Sequence, residues 1–276
     1  MLKIMAVAFV GLAAAANAVV PSEITVKLVM KDAEYVIGER IRCIVDVANA
    51  SAGTIDAGSK GSDDKLLIEL YRASDNKRYD KLSKHAFVAP FTLHTGEGQR
   101  LEACIGDHFR MDESTRYLAR AVLVHGGIRY ESSSRSFLVV PGLNCGGAMQ
   151  MFKNRPGLKR EFELVHWGRN RAEHLFLKVK DTGSANRRWT TADLGTIVRV
   201  SEPKLSVLPS GEVITLHRAT QDAFIRTVFW SLPDVFEFQE HEQMLDPDVA
   251  ATARVKELYQ DSGGVAPVKK AWWKFW

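Results

Sequence analysis

Polar and apolar residues alternate along the chain from Glu23 to about residue 140. In the segment ITVKLVM the apolar side consists of Ile24, Val26, Leu28 and Met30, and in IRCIVDV it consists of Ile41, Cys43, Val45 and Val47. The same period recurs around residues 65–73, 99–105, 117–124 and 128–140, and glycine-rich or polar turns separate these runs. Alternation of this kind is typical of strands with one buried face. About seven such strands predict a sandwich of two antiparallel sheets.

Two segments resemble strands of the bacterial immunoglobulin-like modules found on exported proteins. YVIGERIRCIVDVANAS, residues 35–51, resembles the second strand, and RYLARAVLVHGGIRYESSSRSFLVVPG, residues 116–142, resembles the last two. The resemblance implies an immunoglobulin-like β-sandwich over residues 22–142 and says little about a ligand. The bridge between the sheets of antibody domains is missing, because Ala119 stands two residues after Tyr117, where such domains have cysteine.

The chain beyond residue 142 changes character. Residues 143–157 break the alternation and are predicted to be a linker, and residues 158–240 show strands again. Two stretches repeat weakly, with Leu177 and Leu216 separated by 39 positions, and they resemble propeller-blade repeats of exported proteins. Two units cannot close a propeller. We therefore expect an open or folded-over antiparallel β-meander of about six to eight strands, or a repeat that is coincidental.

Helical spacing is confined to the C-terminal part. Asp246 can cap a helix that Pro247 begins, and the predicted helix covers residues 246–260. The fold class expected is therefore all-β, an immunoglobulin-like sandwich followed by a β-meander domain, with one C-terminal helix. Residues 261–276 form an aromatic and basic tail.

The first residues predict export. Residues 1–18 have one early lysine, a short apolar run and an Ala-x-Ala site, as in a secretory signal peptide that is cleaved after Ala18. Cleavage would reduce the formal net charge from +4 to +3, and no run of five like charges follows. We therefore expect a secreted or periplasmic protein that does not bind nucleic acid. Asn49 begins a formal glycosylation sequon, relevant only if the source glycosylates it.

Three cysteines remain in the exported chain, and none has metal-ligand spacing. The alternation places Cys43 on a core face and leaves Cys104 on the outer face of its strand. We predict a disulfide between Cys104 and Cys145, with Cys43 buried and free. No metal and no cofactor is indicated.

Two polar clusters of the second block are candidate ligand-binding residues. They combine an aromatic face with cationic donors, which suit sugar rings and carboxylates. If the repeats superpose, both clusters line one rim and form a site for an acidic glycan or peptide. The alternative is that they are ordinary polar hairpin turns, with the tryptophan packed on a neighbour. The first cluster is the turn His166-Trp167-Gly168-Arg169-Asn170-Arg171, with His166, Trp167, Arg169 and Asn170 as its candidate ligand-binding residues, and the second is His217, Arg218, Asp222 and Arg226.

The C-terminal tail AWWKFW carries four large aromatic residues, Trp272, Trp273, Phe275 and Trp276. Burial of such side chains favours docking on the body of the same molecule, against a sheet edge or the helix. Docking on a partner, or contact with a membrane surface, which suits tryptophan with lysine, are the alternatives.

These features predict an exported, non-enzymatic binding or scaffolding protein of the cell envelope, whose partner is an envelope protein or a glycan. The alternative is a glycan hydrolase with a propeller-like second block, for which Asp181, Asp193 and Asp222 are candidate carboxylates. A protease inhibitor that uses a sandwich loop is a further alternative, which rests on the fold resemblance alone.

Overall fold

The structure is a computed structural model that describes residues 23–183 and 189–247. The described chain is all-β, in agreement with the expected fold class. The predicted signal peptide, the aromatic tail and residues 248–260 of the predicted helix lie outside the described residues. The described residues contain no helix with the length and hydrophobicity needed to span a bilayer.

The first domain contains ten strands. They are β1 (Ile24–Met30), β2 (Glu34–Val36), β3 (Arg42–Asn49), β4 (Ile55–Ala57), β5 (Lys65–Arg72), β6 (Phe91–Leu93), β7 (Gly98–Cys104), β8 (Thr115–His125), β9 (Ile128–Glu131) and β10 (Arg135–Val140). One sheet has the order β1-β3-β7, and the facing sheet has the order β2-β10-β8-β5, with β9 also paired to β8. All pairs are antiparallel except β2 with β10, which is parallel.

The core of this domain follows the alternation of the sequence. Ile24, Val26 and Leu28 of β1 are buried, as are Ile41 and the inward residues of β3. Phe87 and Phe91, from the long connection between β5 and β7, are also buried and close one end of the sandwich. The period of two in the sequence thus specified both the strands and their buried faces.

The second domain contains eight strands in two sheets of four. They are β11 (Leu143–Met151), β12 (Lys159–Arg169), β13 (Ala172–Thr182), β14 (Trp189–Thr196), β15 (Lys204–Val207), β16 (Glu212–Arg218), β17 (Ala223–Leu232) and β18 (Val235–Leu245). Each sheet is a simple antiparallel meander, β11-β12-β13-β14 and β15-β16-β17-β18. Their inner faces enclose a core of Phe162, Leu164, Leu177, Val213 and Phe229 with their neighbours. The expected meander is therefore folded over into a second sandwich.

The segment expected to be a linker is largely a strand. Residues 143–151 form β11, which pairs with β12 through a register shift at Asn144 and Gly146. The alternation is weak here because β11 is an edge strand, and because glycine occupies two of its positions. The second domain therefore begins at residue 143, directly after β10.

The weak sequence repeat does not give equivalent positions in the two sheets. Leu177 faces the core and is fully buried, whereas Leu216 is only partly buried, between the buried Thr215 and His217 of β16. The other matched pair includes Arg187, which lies outside the described residues. The similarity reflects two consecutive meanders rather than propeller blades.

The three cysteines are free thiols, and none lies within disulfide distance of another. Cys43 is buried as expected, and burial raises the pKa of its thiol to about 12. The Cys104–Cys145 bridge expected from the sequence is absent, because Cys145 lies on a strand of the second sandwich rather than in a linker. Its thiol lies 3.4 Å from the carbonyl oxygen of Leu164 and packs against the second core.

Candidate functional site at the domain junction

The two sandwiches meet where the outer face of sheet β11-β12-β13-β14 covers the β2 and β10 edge of the first domain. The apolar centre of this junction consists of Val36 and Val140 from the first domain and Val165 and Phe176 from the second. All four side chains are buried. The junction therefore has a small hydrophobic core of its own, separate from the cores of the two sandwiches.

Hydrogen bonds from Thr191 to backbone carbonyl groups of the first domain hold one side of this junction. The amide of Thr191 donates to the carbonyl oxygen of Gly38 at 3.0 Å, and the Thr191 hydroxyl donates to the carbonyl oxygen of Ile37 at 2.6 Å. Gly38 has a φ of 88°, and a Cβ at this position would lie 2.6 Å from the carbonyl oxygen of Trp189. Only glycine satisfies both the left-handed backbone and the close approach of the two chains.

A nearly buried ion pair fastens the other side. Both terminal nitrogens of Arg169 donate to the carboxylate of Glu39, at 2.7 and 2.6 Å, in the bidentate geometry that arginine favours. The guanidinium also lies over the rings of Tyr35 and Phe176, at 5.7 and 5.0 Å from their centres. The side chains of Arg169 and Glu39 are 8% and 12% exposed. The pair joins β12 of the second domain to the chain that follows β2 of the first.

Further carboxylate contacts extend this network. Asp193 lies 3.5 Å from Arg169 and is within hydrogen-bond distance of Nδ1 of His174. The indole N–H of Trp167 donates to Glu34 at 2.8 Å. These contacts use donors from β12 and β13 and acceptors from both domains.

Burial and charge act in opposite directions on the two acids. Burial raises the pKa of Glu39 above its ordinary value, and Arg169 only partly offsets this effect. Burial also acts to raise the pKa of Asp193, but the hydrogen bond with His174 and the charges of His174 and Arg169 together bring it below its ordinary value. The junction thus holds Asp193 as a stable anion, while the Glu39 carboxylate is costly to keep charged.

A cleft of about 430 Å³ opens beside this network, between residues 32–34 of the first domain and residues 168–173 of the second. Asn170 and Arg171 form the two-residue turn between β12 and β13, with φ of 52° and 67°. Asparagine tolerates this left-handed conformation, but arginine does so less well. The amide of Asn170 donates to Asp32 across the cleft at 3.1 Å.

Arg171 differs from the other charged residues that line the cleft. Asp32 and Glu34 accept hydrogen bonds from Asn170 and Trp167, and Glu173 pairs with Arg199 at 2.7 Å. Among the described residues, the Arg171 side chain has no hydrogen-bond or ion-pair partner. Within the described part of the chain, the cleft therefore offers a guanidinium that is not already engaged.

The first predicted cluster is gathered at this junction, apart from His166. Trp167, Arg169 and Asn170 each bind a carboxylate of the first domain. His166 is buried and alternates in phase with Phe162 and Leu164, so it faces the interior of the second sandwich. Most of the groups expected to hold a ligand are thus engaged in joining the domains.

The second predicted cluster does not share a rim with the first. His217 is fully buried between the sheets, where the backbone of Thr196 is a polar group that acts on its ring. Burial lowers its pKa to about 4. Arg218, next along β16, pairs with Asp246 at 2.5 Å, and Arg226 pairs with Glu240 at 2.9 Å on the outer face. Asp222 is exposed in the turn before β17.

Glu39 and His174 are site residues that the sequence analysis did not propose. Asp193 was proposed only as a candidate hydrolase carboxylate, and Arg171 only as a member of the polar turn 166–171. One signal was available, since Val165, Trp167 and Arg169 alternate in phase on β12 and therefore share a face. A buried valine on that face indicates that the face is covered. Nothing in the sequence indicates Glu39 as the partner, because it lies 130 positions from Arg169.

Other residues singled out in the sequence have structural roles. The side chain of Asn49 donates to the carbonyl oxygens of Gly53 and Leu93, and its oxygen accepts from Ser51. The sequon asparagine is therefore buried and fully bonded in the folded protein. Asp181, a candidate hydrolase carboxylate, pairs with the buried guanidinium of Arg160 at 2.6 Å. No group of three or more metal-ligand side chains in the described ranges is arranged to hold an ion.

Comparisons with known proteins do not place the chain in a family. No protein-family model matches it, and no curated protein sequence matches it. Among solved structures, it is similar to an alkylpurine DNA glycosylase, AlkC from Pseudomonas fluorescens, bound to DNA containing an abasic site analogue. The identity is 17%, the match covers 42% of this chain and 30% of that one, and the TM-score is 0.28.

A second similar structure is Spo0M, a sporulation control protein from Bacillus subtilis. The identity is 11%, the match covers 86% of this chain and 96% of that chain, and the TM-score is 0.30. At TM-scores this low, neither similarity indicates a shared fold or function. What the chain does has to be argued from its own junction and cleft.

Proposed function

We propose that the protein is an exported, non-enzymatic binding or scaffolding protein of the cell envelope. In this proposal the two sandwiches act as one rigid body, and the cleft at their junction binds an acidic segment of an envelope protein. Export rests on the signal-peptide pattern of residues 1–18. The corner formed by Tyr117, whose hydroxyl donates to the carbonyl oxygen of Glu113 at 3.3 Å, supports the resemblance to immunoglobulin-like modules.

The observation that carries the proposal is the state of Arg171. Arg171 is a residue other than glycine at a positive φ. Such a conformation lowers the stability of the fold, and such residues concentrate at functional sites. The Arg171 guanidinium has no partner among the described residues, although three carboxylates line the same cleft and are each engaged elsewhere. A carboxylate of a partner would complete a bidentate pair with it.

The arrangement favours a protein over a sugar as the partner. The aromatic face expected to stack on a sugar, Trp167, is only partly exposed, and its N–H is bonded to Glu34. The cleft is instead lined by charged side chains of both signs and by backbone from residues 32–34 and 168–173. A peptide segment can pair with the charges through its side chains and hydrogen-bond to the backbone through its own amide groups.

A binding panel tests this proposal. The purified protein, residues 19–276, is applied to arrays of acidic peptides and of uronic-acid oligosaccharides. We expect binding to acidic peptides that weakens about ten- to a hundredfold in Arg171→Ala, because a charge-assisted hydrogen bond contributes roughly 1.5–3 kcal/mol. Arg171→Lys should retain part of the affinity, and the exposed control Lys153→Ala should retain all of it.

Other outcomes contradict it. Equal binding by Arg171→Ala and Lys153→Ala would show that the cleft is not the site. Binding only to the oligosaccharides would make the partner a glycan, and release of reducing sugars from them would establish the hydrolase alternative. An intact mass of the secreted protein that still includes residues 1–18 would contradict cleavage after Ala18.

A further inference from the structure

The edge strand β18 is long, exposed and acidic. Among the described residues it pairs only with β17, so one side of its eleven-residue backbone has no neighbouring strand. An edge of this length presents about five N–H and five C=O groups that can pair with a further strand. Glu237, Glu240 and Glu242 are exposed along it, and it contains no lysine or arginine.

The two faces of β18 differ in chemistry. Phe236 and Phe238 turn inward and pack against the core of the second sandwich, but both remain only partly buried. Glu237 lies between them on the outer face, where Glu240 pairs with Arg226. A strand added here would have to present apolar residues inward and positive charge outward.

The C-terminal segment of the same chain has two aromatic residues in one phase and two lysines in the other. In KKAWWKFW, residues 269–276, Trp273 and Phe275 alternate in phase, and Lys270 and Lys274 alternate in the opposite phase together with Trp272 and Trp276. We infer that residues 269–276 dock along the free edge of β18 as an added antiparallel strand. The expected register places Phe275 beside Phe236, Trp273 beside Phe238 and Lys274 beside Glu237.

The chain length permits this arrangement. Residues 246–268, 23 in number, separate the end of β18 from Lys269. The expected register places Lys269 beside Glu242, near the end of β18, so the connection only has to reverse direction, and 23 residues can extend over roughly 75 Å. The connection is therefore long enough to reverse direction even if much of it is compact.

Charge distinguishes this occupant from a second copy of the protein. Two β18 edges paired across a two-fold axis would bring glutamates against glutamates, which is destabilising. Lys270 and Lys274, which share the outer face in this register, are instead complementary to the glutamates of β18. The segment also belongs to the same molecule, so its effective concentration at the edge is high.

Hydrogen exchange tests the docking. Backbone amides of residues 235–245 should exchange about tenfold more slowly in the full chain than in a chain ending at residue 268. A full-length variant with three substitutions should lose the same protection. These substitutions are Lys269→Glu, Lys270→Glu and Lys274→Glu. In the matched control, three exposed lysines of the described chain are replaced with glutamate, and the protection of residues 235–245 should remain. These lysines are Lys60, Lys77 and Lys153.

A disulfide trap tests the register. Glu237→Cys combined with Lys274→Cys should form an intramolecular bridge, which non-reducing peptide mapping identifies while the native thiols remain in place. Glu102→Cys on β7 combined with Lys274→Cys is the control and should not. Unchanged exchange in both tail variants, or equal bridging in both cysteine pairs, would overturn the inference. Protection that the shortened chain retains, or that appears only with anionic vesicles, would also overturn it.

Discussion

Replacing Arg169 with methionine removes the guanidinium that joins the domains but keeps an unbranched apolar stem between Tyr35 and Phe176. The Glu39 carboxylate then stays in a nearly buried position with the amide of Val36 as a remaining donor. Breaking a buried ion pair by removing one partner costs about 3–5 kcal/mol. The exposed pair Arg155–Asp234, 54% and 67% exposed, should cost less than about 1 kcal/mol in Arg155→Met.

The loss in Arg169→Met should depend on pH. The pKa of Glu39 is already raised by burial, and it rises further when Arg169 is absent. A group with a raised pKa in the folded state contributes stability that is fully present below its unfolded pKa and is lost as the pH rises through its folded pKa. The unfolding free energy of the variant should therefore be closest to that of the natural protein near pH 4 and furthest below it at pH 7.

Urea unfolding, followed by far-ultraviolet circular dichroism and by tryptophan fluorescence, measures this effect. Exchange of the Thr191 amide, which donates to Gly38 across the junction, reports the junction separately from the two cores. Adding Glu39→Met to Arg169→Met should recover most of the stability, because no uncompensated charge remains. A loss in Arg169→Met no larger than that in Arg155→Met, at every pH, would refute the reasoning.

Three further predictions concern single residues. His217 has a folded pKa of about 4 against an ordinary value of 6.5, so its contribution to stability is fully present above pH 6.5 and is lost as the pH falls towards 4. Between these two pH values, the unfolding free energy measured in urea should fall by roughly 3 kcal/mol more in the natural protein than in His217→Phe. Asn49→Ala leaves the carbonyl oxygens of Gly53 and Leu93 and the Ser51 donors without their partner, and should lower the unfolding free energy by about 1–3 kcal/mol. Gly38→Ala should accelerate Thr191 exchange and leave exchange in the β1-β3-β7 sheet unchanged, because its Cβ would displace Trp189 at the junction; equal protection at Thr191 would contradict the described approach.

The all-β class and the first sandwich could be predicted because burial follows local alternation. Ile41, Cys43, Val45 and Val47 are spaced two apart and are all buried, so the sequence carries both the strand and its inner face. β11 could not be predicted in the same way, since an exposed edge strand with two glycines needs no alternation. The Cys104–Cys145 pairing was wrong for the same reason, because it assumed a linker at residue 145.

The junction was only half predictable. Trp167, Arg169 and Asn170 stood out as polar and aromatic residues near a turn, but a single sequence does not reveal what a guanidinium meets in three dimensions. Arg169 forms its ion pair with a residue of another domain, so its role changed from free ligand donor to domain contact. Arg171 lies in the same turn, and its guanidinium has no partner in the part of the chain that the structure describes.

The rigidity of the junction is the property on which the proposed scaffold depends. Spin labels introduced as a non-canonical amino acid at Glu102 of the first sandwich and Lys153 of the second leave the native thiols unchanged, and pulsed electron paramagnetic resonance measures the distance between them. We expect one narrow distance distribution in the natural protein and a broader one in Arg169→Met. A broad or bimodal distribution in the natural protein would contradict the claim that the two sandwiches form one body.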